Sequence, residues 1–142
     1  MCIVYKSRVA TRDVDAIFEP SSVIRSLAEK ITVKHNLPKD WLNDAVKAYL
    51  VDGFKRENVF NFSHLTVWAP EPKYMLAMKC LSARWDSYDG DDVKFLIKHI
   101  GLQCAKEVFE IIEGFYPMNR IEPKTMFFIE EIFEQTGGSA LP

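Results

Sequence analysis

The chain has 142 residues, enough for one domain with a real hydrophobic core. Hydrophobic residues make up 48%, charged residues 27%, and the formal net charge is −2, so nothing suggests a nucleic-acid-coating surface or a polybasic membrane anchor. No apolar run approaches the roughly 20 residues that cross a bilayer, and the opening MCIVYKSRV is too short and too soon polar for a secretory signal.

Residues 13–18, DVDAIF, alternate with a period of two, the pattern of a short strand. Val14, Ala16 and Phe18 face one side; Asp13, Asp15 and Ile17 face the other. Pro20 ends the strand, and Ser21 or Ser22 is expected to cap a helix running to about His35. Val23, Ile24, Leu27, Ala28 and Ile31 form its apolar stripe. NLPKD breaks the chain, and Asp40 is read as the cap of a second helix, WLNDAVKAYLV. Asp52-Gly53 is a turn, and residues 59–68 suggest one or two strands. PEP at 70–72 opens a third helix, KYMLAMKCLSARW. After DSYDGDD come helices near 90–99 and 102–115, divided by Gly101, the second stopped by Pro117. EPKTMFFIEEIFEQ forms a last helix, and TGGSALP is read as a frayed tail. This order is α+β: a small sheet, covered by more helices than it has strands.

The three cysteines, Cys2, Cys80 and Cys104, form no CxxC and have no neighbouring histidine pair, which argues against a disulfide framework and a zinc site. Cys80 and Cys104 fall on apolar helix faces and are expected to be core thiols. A reducing, cytoplasmic location is the corresponding expectation.

The acidic pair poses the chemical question. Side chains at i and i+2 of a strand point the same way, about 7 Å apart. Two carboxylates so placed repel unless a cation lies between them. Mg²⁺ prefers oxygen ligands and is often held by one or two carboxylates together with substrate phosphates. D-x-D on a strand therefore suits metal-dependent phosphoryl or nucleotidyl transfer; the plain alternative is an exposed strand face with no role.

Four pieces in order, RVATRDVD (8–15), DWLNDAVK (40–47), YMLAMKCLSAR (74–84) and DGDDV (89–93), resemble an uncharacterised bacterial family related to the nucleotidyltransferase-like proteins of the AbiEii toxin superfamily. The resemblance spans about residues 8–133. It implies a polymerase-β-like nucleotidyltransferase core, about residues 1–69 of a single 1–142 domain. A helical part, about 70–135, and the tail would complete that domain. It implies Mg²⁺ held by Asp13 and Asp15, with Lys79 and Asp92, or Asp89 in place of Asp92, as the downstream catalytic motif. Thr11, Lys79 and Arg84 would contact the nucleotide. The activity implied is transfer of a nucleoside monophosphate from an NTP to an RNA or protein hydroxyl, in a toxin–antitoxin context.

The family's phosphate-cradling Gly-Gly or Gly-Ser turn lies upstream of D-x-D, whereas the twelve residues before Asp13 hold no glycine. The expectation is a shortened relative, a late start, or a sheet completed by a second copy or a partner protein along the edge at residues 13–18. The alternative function is a catalytically inactive homologue serving as a protein interaction module. No third carboxylate comes from 59–68, and Glu57 fits poorly, so a two-metal site is not expected.

Other residues read as structural. His35, His64 and His99 share no ligand spacing. Phe128, Ile129, Ile132 and Phe133 form a core stripe. Trp85 or Tyr88 is the choice for base stacking. DSYDGDD places four carboxylates in seven residues but lacks the glycine and glutamate spacing of a calcium loop; Asp89, Asp91 and Asp92 suit a helix N-terminus.

Overall fold

The computed structural model describes residues 2–5, 11–82 and 89–136. It is α+β. The described elements are α1 (Cys2–Tyr5), β1 (Val14–Asp15), α2 (Ser21–His35), β2 (Leu42–Asn43), a 3₁₀ turn (Ala45–Tyr49), β3 (Arg56–Phe62), β4 (Leu65–Pro70), α3 (Pro72–Ser82), α4 (Asp89–Ile100), α5 (Ala105–Glu113), a second 3₁₀ turn (Met118–Arg120) and α6 (Pro123–Thr136). The strands form two separate two-stranded sheets rather than one, a parallel β1–β2 pair and an antiparallel β3–β4 ribbon. Among the described residues no helix is long and apolar enough to cross a membrane. Backbone packing divides the chain into two compact units, Met1–Leu50 and Val51–Pro142.

In the first unit the expected strand at 13–18 is hydrogen-bonded as a strand only at Val14 and Asp15, in register with Leu42 and Asn43. Val14 N–H donates to the Trp41 carbonyl at 2.6 Å and Ala16 N–H to the Asn43 carbonyl at 2.9 Å. The alternation nonetheless holds through residue 18: Val14 and Ala16 are half-buried and Phe18 buried, while Asp13, Asp15 and Ile17 are exposed. Parallel pairing corrects the second helix. Trp41 and Asn43 offer their carbonyls to the first strand, so the chain is extended there and turns only afterwards. The Asn43 side-chain oxygen accepts Ala45 N–H at 3.1 Å, and one 3₁₀ turn follows. Asp40 therefore caps no helix.

The α2 helix begins and ends as expected, but neither serine caps it. Pro20 precedes the first turn, and the Glu19 carboxylate accepts Ser21 N–H at 3.2 Å. Asn36 closes the helix at φ 50°, a left-handed conformation that asparagine tolerates, and Leu37 N–H returns to the Thr32 carbonyl. The stripe is poorly covered. No residue of α2 is buried, and Val23, Leu27 and Ile31, each four apart, remain 53%, 50% and 40% exposed. Trp41 ties the unit together by donating its indole N–H to Thr32 Oγ1 at 3.0 Å.

The second unit holds most of the core. Tyr74, Leu76, Ala77 and Cys80 of α3 meet Val93, Leu96 and Ile97 of α4, with Val108 and Ile112 of α5 and Ile129 of α6 also sealed from solvent. Tyr74 is central: its ring stacks on Phe54 at 4.1 Å and lies near Tyr116 at 6.2 Å, and its hydroxyl accepts Val51 N–H. Burial, then the hydrogen bond with Tyr74, pushes the Tyr116 phenol well above its ordinary range. The expected stripe on the last helix is confirmed, with Ile129 and Ile132 buried and Phe128 and Phe133 half-buried.

The cysteine expectation divides. Cys80 is a core thiol, and burial pushes it up to about 12. Cys104 is exposed, because it sits at the N-cap of α5 rather than within an apolar face. There the Glu107 carboxylate reaches back to the N–H groups of Gln103 and Cys104 at 2.6 and 3.2 Å.

Candidate functional site

Two constellations foreseen from sequence can be placed, one in each unit. In the first, Asp13 and Asp15 flank Val14 on the exposed side of the β1 segment. Pairing with β2 fixes the backbone at Val14 and Ala16, and with those two half-buried and Phe18 buried on one side the odd-numbered side chains face outward. Among the described residues neither aspartate forms an ion pair with a cation. Thr11, also exposed, donates its hydroxyl to the Asp13 carbonyl at 3.1 Å, so it braces the strand entry.

The donor set suits one hard divalent ion. Two solvent-facing carboxylates on one strand face supply anionic oxygens, and water or phosphate oxygens complete such a shell. No group of three or more histidine, cysteine, aspartate or glutamate side chains among the described residues is placed to hold a metal.

In the second unit the structure brings Lys79 and Asp92 together. Lys79 Nζ lies 3.0 Å from Asp92 Oδ2, joining α3 to α4, with the two side chains 21% and 4% exposed. Asp92 stands one turn into α4, where its carboxylate also meets the positive end of the helix dipole. The α3–α4 packing that seals Leu76, Cys80, Val93 and Leu96 sets this distance. Arg84, Trp85 and Tyr88 lie outside the described residues. Asp89 opens α4, but its side chain lies outside them too. Glu57 is on β3 of the second unit.

A third feature was not foreseen. Asp44, inside the stretch expected to be helical, accepts from Arg25 at 2.6 Å and Lys47 at 2.9 Å. These bonds, Lys47 first and Arg25 next, hold its carboxyl below the usual carboxylate range. The Asp44–Lys47 spacing was the one available signal; the Arg25 contact depends on the fold. Elsewhere in the second unit a cleft of about 470 Å³ sets Lys55, Arg56 and Lys73 against Glu57 and Glu71. Arg56 lies 5.4 Å over the Phe54 ring, which itself stacks on Tyr74.

No family model, curated protein or solved structure matches the chain.

Proposed function

We propose that the chain is a nucleotidyltransferase-like protein of polymerase-β-like ancestry, related to the AbiEii-type toxin nucleotidyltransferases. Its Asp13–Asp15 pair would hold Mg²⁺ beside the phosphates of an NTP. The observation that carries this reading is the alternating exposure over 13–18, which turns both carboxylates to solvent on one face while Val14 and Ala16 are half-buried and Phe18 buried on the other. Burying Val14, Ala16 and Phe18 requires nothing of the opposite face except polarity. Two carboxylates one residue apart repel each other there unless an ion joins them.

Bound Mg²⁺ would supply Lewis-acid stabilisation of charge on the phosphate oxygens. In the reaction an RNA or protein hydroxyl attacks the α-phosphorus and forms the new P–O bond. The bond to the bridging oxygen of the β-phosphate breaks, pyrophosphate departs with that electron pair, and the hydroxyl proton passes to solvent. Asp13 and Asp15 are the residues that would hold that ion. Lys79 and Asp92 enter as the downstream motif of the resembling family, and the rigid α3–α4 joint is the physical basis for their fixed spacing.

Isothermal titration with ATP, CTP, GTP and UTP in Mg²⁺ tests the reading. At least one nucleotide binds the wild type, and affinity falls tenfold or more in Asp13→Ala/Asp15→Ala. Negligible heats for both proteins remove the proposal.

A second reading has its own support. The uncovered row Val23, Leu27 and Ile31 favours a non-catalytic interaction module, since a helix face of this kind is a recognised docking surface. A stable complex that survives loss of both aspartates distinguishes it from the first.

A further inference from the structure

Residues 58–70, NVFNFSHLTVWAP, contain no lysine, arginine, aspartate or glutamate in a chain that is 27% charged. They fold as most of the β3–β4 ribbon, whose register pairs Phe62 with Leu65, Phe60 with Val67, Asn58 with Trp68 and Glu57 with Ala69. Paired residues share a face. Phe60, Phe62, Leu65 and Val67 therefore lie on one side, and the Phe60 and Phe62 rings stand 5.7 Å apart. Only the base of that side is sealed, by Ala69. Phe60, Phe62 and Leu65 remain 41%, 60% and 49% exposed, and Trp68 on the other side 55%. A two-stranded ribbon is marginal by itself and gains independent stability from a third strand or a covering layer.

The two edges differ. β3 carries Arg56 and Glu57 and a register irregularity between Asn58 and Phe60, all devices that discourage a further strand. β4 has neither charge nor irregularity, and Pro70 stands only at its end. Among the described residues neither strand has a second neighbour.

We infer that two copies of this chain associate through β4, joining their ribbons into one four-stranded antiparallel sheet. The charge pattern selects a second copy. A two-fold axis lays an edge against itself, so any charge near the axis meets its own kind, and β4 has none to repel. A pairing centred on Val67 sets Thr66 opposite Trp68 of the partner subunit and Leu65 opposite Ala69 of the partner subunit. It also extends the Phe60–Val67 row across all four strands. This edge is distinct from the one at residues 13–18, and the inference is independent of the nucleotidyltransferase reading.

Sedimentation equilibrium from 1 to 100 µM tests it. The wild type shifts from monomer to dimer, and the alternate β4 amides that point to the open edge gain exchange protection with concentration. Trp68→Lys and Thr66→Lys, each at a solvent-exposed position, raise the dissociation constant tenfold or more with unchanged circular dichroism. A wild type monomeric at 100 µM overturns the inference. So does a dimer whose β4 amides show no concentration-dependent protection, or one that Leu27→Lys dissociates and Trp68→Lys does not.

Discussion

The Lys79–Asp92 ion pair illustrates how much one residue's environment decides. Asp92 is almost sealed and Lys79 keeps about a fifth of its surface in water. Removing the cation leaves a buried carboxylate beside an apolar layer, so Lys79→Met is expected to destabilise the fold by about 2–3 kcal/mol in urea denaturation. Asp92→Asn, which keeps an oxygen near Lys79, costs less. Asp44 behaves differently because it is at the surface. Its folded-state pKa is depressed by Lys47 and Arg25, so its contribution to stability is present above the ordinary carboxylate range and is lost as pH falls through the lowered value. Carbon-detected NMR titration should show the Asp44 midpoint rising in Lys47→Ala and in Arg25→Ala. The family resemblance named Lys79 with Asp92, or Asp89 in its place, as a motif; the ion pair itself comes from the α3–α4 packing. The sequence could not foretell the Arg25–Asp44 contact, because nineteen residues separate the two and only the parallel β1–β2 pairing and α2 packing bring them together.

Among the elements, those with local signals were legible. The α2 helix carries a proline before its first turn and a left-handed asparagine after its last, and its limits at 21 and 35 follow from those residues. The α3–α6 helices follow apolar spacing in the same way. WLNDAVKAYLV was misread because its apolar spacing suits a helix, while β1 draws Trp41 and Asn43 into an extended ladder, a long-range contact that overrides propensity. Cys104 was misread for a related reason: its apolar neighbours belong to α5, but the residue itself stands at the entry to that helix. Helix α2 has no buried residue, whereas α3 and α5 carry fully buried side chains. Protection from amide exchange tracks such burial. Amides in the middle of α2 are expected to exchange at least tenfold faster than those of α3 and α5 in a hydrogen–deuterium experiment. Equal protection would show that α2 is covered by something the isolated chain does not display.

For the whole molecule, the α+β class was legible from the order of the elements, and its division into Met1–Leu50 and Val51–Pro142 was not. That division follows from where apolar burial concentrates: apart from Phe18, every buried hydrophobic side chain among the described residues belongs to the second unit. The candidate site is read at the acidic pair of the first unit, on a strand pinned by two backbone bonds. The most direct test of the central claim uses Mn²⁺ in place of Mg²⁺ and watches backbone amides by NMR. Substoichiometric Mn²⁺ should selectively broaden the amides of residues 13–16 in the wild type, more strongly with nucleotide present, and leave them sharp in Asp13→Asn/Asp15→Asn. Broadening that is absent from this segment, or identical in the double variant, would contradict it.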